Sequence, residues 1–272
     1  MRNEKPIRRF EKLLFFDIDG TLLDDERRLP DSVAPALKKA REKGCGIVIN
    51  TGRTLCNGEP LLDVLELDGW SMGCGSRVIL GGETLRALEY DAESSRRMLD
   101  IFRKAGMPIV YECDTAMYFD PESPSHPAVT GFRTFAQERG IFREIREGDP
   151  EFRCVKMFCF GDSKQVESLL KELAGAGMPY EAIDRWESAW ELIPEGCSKA
   201  LGIELIRKKA GVPLERCYAF GDSQNDLSML CHVPHGVAMG NAPEEVKARC
   251  SYVTDRPEKD GIAHALERLG LI

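Results

Sequence analysis

The sequence contains no long apolar run, no excess of basic residues and no internal repeat. No stretch of the 272 residues approaches the roughly 20 consecutive apolar positions that a membrane span needs. The charged segment 1–12 lacks the apolar centre of a signal peptide. The net charge of −8 argues against a broad nucleic-acid-binding surface. We therefore expect a cytoplasmic globular protein with neither a membrane nor a nucleic-acid partner.

Paired metal-ligand motifs and the P-loop are absent as well. The ten cysteines are scattered without a C-x-x-C pair, and the four histidines form no ligand set. Several cysteines lie in apolar runs such as FRCVKMFCF, where a reduced thiol packs as a small apolar group. No G-x-x-x-x-G-K-[ST] motif occurs, which excludes a P-loop nucleotidase.

Apolar runs alternate with amphipathic segments at both ends of the chain. KLLFF, GIVIN and CYAFG are continuous apolar runs, which is typical of strands buried on both faces of a parallel sheet. In the middle, IVYEC and AMYFD predict a hairpin, and helical and strand-like segments then follow in mixed order. We therefore predict an α/β fold, with a Rossmann-like parallel-sheet core over 1–83 and 189–272 and an α+β insert over 84–188. A further helix is predicted over 55–65.

Polar clusters stand at the carboxyl ends of the predicted strands. Asp17 and Asp19 follow the first strand, and they repel each other on one side of an extended chain unless a cation or a shared proton intervenes. TGR at 51–53 follows the second strand, GDSQND at 221–226 follows CYAF, and Lys199 stands at a predicted helix start. Ligands of open parallel sheets bind beyond the carboxyl ends of the strands, so these groups should meet at one edge.

The combined chemistry of these clusters is that of phosphoryl transfer. Carboxylate oxygens suit Mg²⁺, which often bridges to a substrate phosphate. A lysine and a threonine can hold the remaining phosphate oxygens. Once the metal and the lysine offset the negative charge, one aspartate can attack phosphorus and the next can move protons.

The motifs DIDGTL and GDSQNDLSML, with TGR and SK between them in that order, resemble those of the haloacid dehalogenase (HAD) superfamily. More specifically, the chain resembles the Cof-type (IIB) branch, in which an α+β cap is inserted after the second motif. The resemblance spans nearly the whole chain and includes the ending GVAMGNAPEEVK. It implies a Mg²⁺-dependent phosphatase that works through an aspartyl-phosphate.

The resemblance also implies a role for each matching residue. Asp17 should attack the phosphoryl group, and Asp19 should protonate the leaving alcohol and then activate water. Asp222 should ligate Mg²⁺ together with the Asp17 carboxylate and the Asp19 backbone carbonyl. The other matching residues are expected to contact the phosphate or to support the site: Ile18, Thr51, Gly52, Arg53, Lys199 and Asn225 as phosphate contacts, and Asp226 as a group that holds Lys199 or a metal-bound water.

Purely structural interpretations stay open for several of these residues. Thr51 and Asp222 could cap the helices that follow them. Asn225 and Asp226 could complement a helix dipole as first-turn residues. Arg53 could form a salt bridge without touching substrate.

Alternative functions also stay open. A phosphomutase of the same family uses the same aspartyl-phosphate, and a catalytically silent phosphate-binding module could keep the fold. The expected partner is a small phosphate ester, a sugar phosphate in the first place, but neither the natural ester nor the oligomeric state is predicted. The chain departs from the branch at Cys74, where an asparagine is usual.

Overall fold

The computed structural model describes residues 8–58, 64–186 and 188–272. These residues form two compact units, each built on its own sheet. The core unit contains the described residues up to Gly52, those from 64 to Ala87, and those from Ser198 to Ile272. The insert unit contains Arg53–Gly58 and the described residues from Leu88 to Cys197. None of the helices among these residues is long and apolar enough to cross a membrane.

The described strands and helices alternate through most of the chain. In order they are β1 Lys12–Phe16, α1 Val33–Glu42, β2 Cys45–Asn50, β3 Gly69–Met72, β4 Arg77–Leu80, β5 Glu83–Ala87, α2 Ala92–Ala105, β6 Ile109–Cys113, β7 Met117–Phe119, α3 Pro127–Glu138, β8 Phe142–Glu144, β9 Cys154–Phe160, α4 Ser163–Gly175, β10 Tyr180–Trp186, β11 Ala189–Pro194, α5 Lys199–Ala210, β12 Cys217–Gly221, α6 Leu227–Leu230, β13 His235–Ala238, α7 Glu244–Lys247, β14 Tyr252–Val253 and α8 Gly261–Arg268.

The core sheet has the strand order β14-β13-β12-β1-β2-β3-β4-β5. Its first six strands run parallel, and β4 and β5 add an antiparallel edge. Leu14 and Phe16 of β1 pack on the side of α1 and α8, whereas Leu13 and Phe15 pack on the side of α5. Both faces of this sheet are therefore covered and exclude water. Fully burying one such side chain stabilises the fold by roughly 1.5–3 kcal/mol. This confirms the predicted parallel sheet with helices on both faces.

The insert unit has a six-stranded sheet in the order β10-β11-β9-β6-β7-β8. Its pairs are antiparallel except for β7 with β8, and β6 and β7 form the predicted hairpin. Helices α2 and α4 pack on one face through a cluster that contains Phe102 and Leu169. Helix α3 packs on the other face through a cluster that contains Val129 and Phe158. The unit is therefore an α+β structure with an apolar core of its own.

The bounds of the insert differ from those that the sequence predicts. Position 84 falls inside β5, which pairs with β4 and so extends the core sheet. Position 188 precedes β11, which pairs with β10 and β9 and so extends the insert sheet. For the helix predicted over 55–65, the structure describes a short 3₁₀ helix at Leu55–Asn57, and residues 59–63 lie outside the described part of the chain.

Candidate active site

The carboxyl ends of β1, β2 and β12 bring three predicted site residues to one edge of the core sheet. These strands are neighbours in parallel register, with Phe16 of β1 opposite Ile49 of β2 and Phe220 of β12. Asp17 and Thr51 directly follow β1 and β2, and Asp222 directly follows β12. The Asp17 backbone N–H donates to the Phe220 carbonyl at 3.0 Å, which continues the sheet ladder up to the first carboxylate.

Lys199 reaches this edge from the first position of α5. The Ser198 side chain caps the helix by accepting from the Leu201 N–H, at 3.1 Å. Lys199 Nζ lies 2.7 Å from Asp17 Oδ1 and also donates to Asp226 Oδ1. The ammonium group is fully buried, and burial alone would lower its pKa, but the carboxylates of Asp17 and Asp226 raise the pKa of Lys199 above its usual range. The surroundings of Lys199 thus favour its charged form, in contact with the predicted nucleophile.

Three carboxylates converge beside Lys199. One oxygen from each of Asp17, Asp222 and Asp226 lies within 4.8 Å of the others. Burial, together with the repulsion of neighbouring carboxylates, raises the pKa of Asp17 to about 6 and that of Asp222 to about 8. Such a set of hard oxygen donors is unfavourable as isolated anions and fits a divalent cation such as Mg²⁺, which would offset their charge.

Both carboxylate oxygens of Asp226 accept hydrogen bonds from other groups of the protein. Its Oδ1 accepts from Lys199, and its Oδ2 accepts from the backbone N–H groups of Asp222 and Ser223, at 3.0 and 2.9 Å. These bonds fix the turn after β12 and hold Lys199. A supporting role for Asp226 in the reaction stays a prediction.

The remaining predicted residues surround these groups or lie in the neighbouring segments. Asp19 has an exposed side chain, and its charge helps to raise the pKa of Asp17. Asn225 accepts a hydrogen bond from the Ser223 hydroxyl through Oδ1. Arg53 groups with the insert unit, and its guanidinium donates to the Asn57 carbonyl at 3.4 Å. Ile18, Thr51 and Gly52 are buried.

Thr21 and Asn241 contact Asp222 although the sequence did not single them out. Thr21 Oγ1 donates to Asp222 Oδ1 at 3.1 Å. Asn241 Nδ2 lies 2.9 Å from the Gly20 carbonyl and 3.4 Å from Asp222 Oδ2. Gly20 has a φ of +71°, and a Cβ atom there would lie 2.4 Å from Asp222 Oδ2, so this approach requires glycine. The available signals were the threonine in DIDGT and the asparagine in GVAMGNAP.

Cys74 occupies the position where the sequence departs from the family pattern. It is buried, with a φ of +54°, and its N–H donates to the Thr51 carbonyl at 3.1 Å. Asparagine tolerates this left-handed conformation better than most residues. The backbone therefore retains the conformation that suits asparagine, while the side chain is a thiol.

Comparison with known proteins identifies relatives over nearly the full chain. A family model described as haloacid dehalogenase-like hydrolase matches residues 14–266. The chain is 28% identical over 256 residues to 5-amino-6-(5-phospho-D-ribitylamino)uracil phosphatase YcsE of Bacillus subtilis, with 94% of each chain covered. It is also 28% identical over 273 residues to HMP-PP phosphatase of Serratia proteamaculans, again with 94% of each covered. The solved structure of the HAD subclass IIB sugar phosphatase BT4131 matches with a TM-score of 0.78 and 30% identity, over 96% of this chain and 100% of that one.

Proposed function

Because this chain belongs to the haloacid dehalogenase-like hydrolases and is a phosphatase, we propose that it is a Mg²⁺-dependent phosphomonoesterase acting on a small phosphorylated metabolite. The relatives are named for a phosphorylated ribitylaminouracil, for HMP-PP and for a sugar phosphate. All are small phosphorylated compounds that differ in the group attached to phosphorus. The 30% sequence identity to the sugar phosphatase supports a sugar phosphate as the first substrate to test.

The contact between Lys199 and Asp17 carries this proposal. Lys199 Nζ is 2.7 Å from Asp17 Oδ1 in a buried environment, which keeps a negative oxygen beside a fixed positive charge. A carboxylate held in this way can act as a nucleophile, and the ammonium group can then stabilise the oxygens of the phosphoryl group that arrives.

Asp17 and Asp19 perform the two halves of the reaction. In the first half, an Asp17 oxygen bonds to phosphorus, the bond from phosphorus to the leaving oxygen breaks, and Asp19 gives a proton to that oxygen. In the second half, Asp19 takes a proton from water, the water oxygen bonds to phosphorus, and the bond to Asp17 breaks to release inorganic phosphate. The exposed side chain of Asp19 suits a group that exchanges protons with water and with the leaving alcohol.

Lys199, Thr51 and the backbone around Ile18 hold the phosphoryl oxygens in this scheme, with Gly52, Arg53 and Asn225 as further contacts. The carboxylates of Asp17 and Asp222, with the Asp19 carbonyl, would hold Mg²⁺. When bound, the ion supplies positive charge that offsets these carboxylates and the phosphate. The insert unit serves as the cap that selects the leaving group.

Release of inorganic phosphate from a broad panel of phosphate esters tests the proposal. We expect release from at least one sugar phosphate with Mg²⁺, none in excess chelator, and poor support by Ca²⁺, whose longer bonds misplace the nucleophile. Asp222→Ala should raise the Mg²⁺ concentration that half-maximal activity requires. Full activity in excess chelator would exclude the metal. Phosphoryl transfer that depends on a bisphosphate activator, without release of phosphate, would instead identify a phosphomutase.

A further inference from the structure

Asn50 places a polar side chain where the core sheet otherwise buries apolar groups. It is the last residue of β2, directly after Ile47, Val48 and Ile49, and it is 0% exposed. A buried amide must find hydrogen-bond partners, because desolvating it without them is unfavourable. The partners of Asn50 therefore indicate why an amide stands here.

The Asn50 amide group bonds to the main chain of the catalytic lysine. Its Nδ2 donates to the Lys199 carbonyl oxygen at 2.8 Å and lies 3.5 Å from Met229 Sδ in α6. Hydrogen bonds within α5 fix the shape of that helix but not its position on the sheet. The bond from Asn50 ties the first residue of α5 to the carboxyl end of β2, one residue before Thr51.

The contact surface around Asn50 leaves little freedom for α5. A Cβ atom at Gly202 would lie 2.0 Å from Ser71 Oγ and 3.3 Å from Asn50 Oδ1, so the helix rests directly on these two side chains. Ser71 stands opposite Asn50 in the register of β2 and β3. A small displacement of the first turn would move Lys199 relative to Asp17.

The carbonyl oxygen of the Asn50 side chain makes this position unfavourable for stability. Asn50 Oδ1 is buried, and no donor among the described residues bonds to it. An unpaired buried acceptor destabilises a fold, whereas an apolar side chain of similar shape would avoid that penalty. Stability alone thus favours a different residue, and the bond to Lys199 is what the amide provides.

We infer that Asn50 is a positioning residue that holds the first turn of α5 so that Lys199 Nζ meets Asp17. The inference rests on the proposed phosphatase function, in which that contact prepares the nucleophile. Asn50 acts through Lys199 and does not touch the substrate itself.

Asn50→Ala and Asn50→Leu test this role, since both remove the donor and Leu keeps a similar branched shape. We expect kcat to fall by about 10- to 10²-fold in both variants, as small misplacements of catalytic groups do, with little change in KM. Asn50→Leu removes the unpaired acceptor, so its Tm should equal or exceed that of the wild type. Ser71→Ala is the matched control: Ser71 is equally buried, its Oγ also lacks a described partner, and it contacts the same face of α5. Its kcat should equal that of the wild type.

Crystal structures of the wild type, Asn50→Leu and Ser71→Ala give a second readout that does not depend on turnover. In Asn50→Leu, we expect the Lys199 Nζ to Asp17 Oδ1 distance to exceed its 2.7 Å, and in Ser71→Ala we expect it to be unchanged. Wild-type kcat or an unmoved Lys199 in a folded Asn50 variant overturns the inference. Failure of both Asn50 variants to fold, while Ser71→Ala folds, also overturns it, because Asn50 then serves the fold as a whole. Absence of phosphatase activity in the wild type refutes the proposed function instead.

Discussion

Asp17 experiences opposing electrostatic influences from its surroundings. Burial and the nearby Asp226 carboxylate raise its pKa to about 6, while the Lys199 ammonium group at 2.7 Å favours the charged form. Asp17→Asn keeps the shape but removes the attacking charge. We expect kcat for phosphate release to fall by at least ~10²- to 10⁴-fold, the effect typical of losing a key catalytic group. The fold should persist, which circular dichroism can check.

Asp25→Asn is the control for this substitution. Asp25 lies in the same segment, and the substitution again replaces an aspartate by asparagine. Its side chain, however, is exposed and pairs with Arg256 at 3.2 Å. Its kcat should match that of the wild type. Near-normal phosphate release by Asp17→Asn would contradict the proposed covalent mechanism.

The sequence predicts site residues that follow a recognisable strand, and it misses those that depend on distant partners. Asp17 and Asp222 stand directly after continuous apolar runs, so parallel-sheet topology alone brings them together. Asn50 was missed because it ends such a run and its partner, Lys199, lies 149 residues away. Asn241 stands in the recognisable motif GVAMGNAP, but the motif alone does not show that its amide reaches Asp222.

At the scale of elements, the packing of α5 on the sheet depends on Gly202. A Cβ atom there would meet Ser71 Cβ at 2.6 Å as well as Ser71 Oγ, so rotation of the serine cannot relieve the clash. We expect Gly202→Ala to lower the free energy of unfolding by roughly 1–3 kcal/mol, the range for overpacked cores, because the helix must shift. Urea unfolding followed by circular dichroism measures this change.

The same substitution at Gly131 should have the opposite effect on the free energy of unfolding. Gly131 lies inside α3, and nothing lies within 4 Å of the position of its Cβ atom. Alanine should stabilise the protein there by roughly 0.4–1 kcal/mol, because it reduces the conformational entropy of the unfolded chain. Equal stabilisation by both substitutions would show that α5 does not pack as closely as described.

Elements were predictable where the apolar pattern is continuous and less so at the edges of the sheets. β1, β2 and β12 are buried on both faces, and their runs stand out in the sequence. β5 is a largely exposed edge strand without such a run, which is why the predicted insert began inside it. Propensity and periodicity do not reveal which sheet an edge strand joins, because pairing is decided by tertiary contacts.

At the scale of the whole molecule, the two units have separate apolar cores, and the candidate metal ligands belong to one of them. Asp17, Asp222 and Asp226 all lie in the core unit. A ligand that binds only the native state stabilises whatever unfolds with its site, by about 2.7 kcal/mol at 100 times Kd. Mg²⁺ at that concentration should therefore raise the free energy of opening of β1 and β12 by about the same amount, and hydrogen exchange at their amides should slow accordingly. The amides of β9, in the insert unit, should show no comparable change.

Hydrogen exchange with mass spectrometry, with and without Mg²⁺, measures both units in one sample. Asp222→Ala is the control: because removal of one carboxylate weakens Mg²⁺ binding, the same Mg²⁺ concentration should protect β1 and β12 much less, while the exchange of β9 stays as in the wild type. Equal protection of β9 by Mg²⁺ would mean that the two units open together. A ligand bound to one unit then suppresses the opening that exposes the amides of both. An absence of protection throughout the wild-type chain would show that these carboxylates do not bind the ion in the native protein.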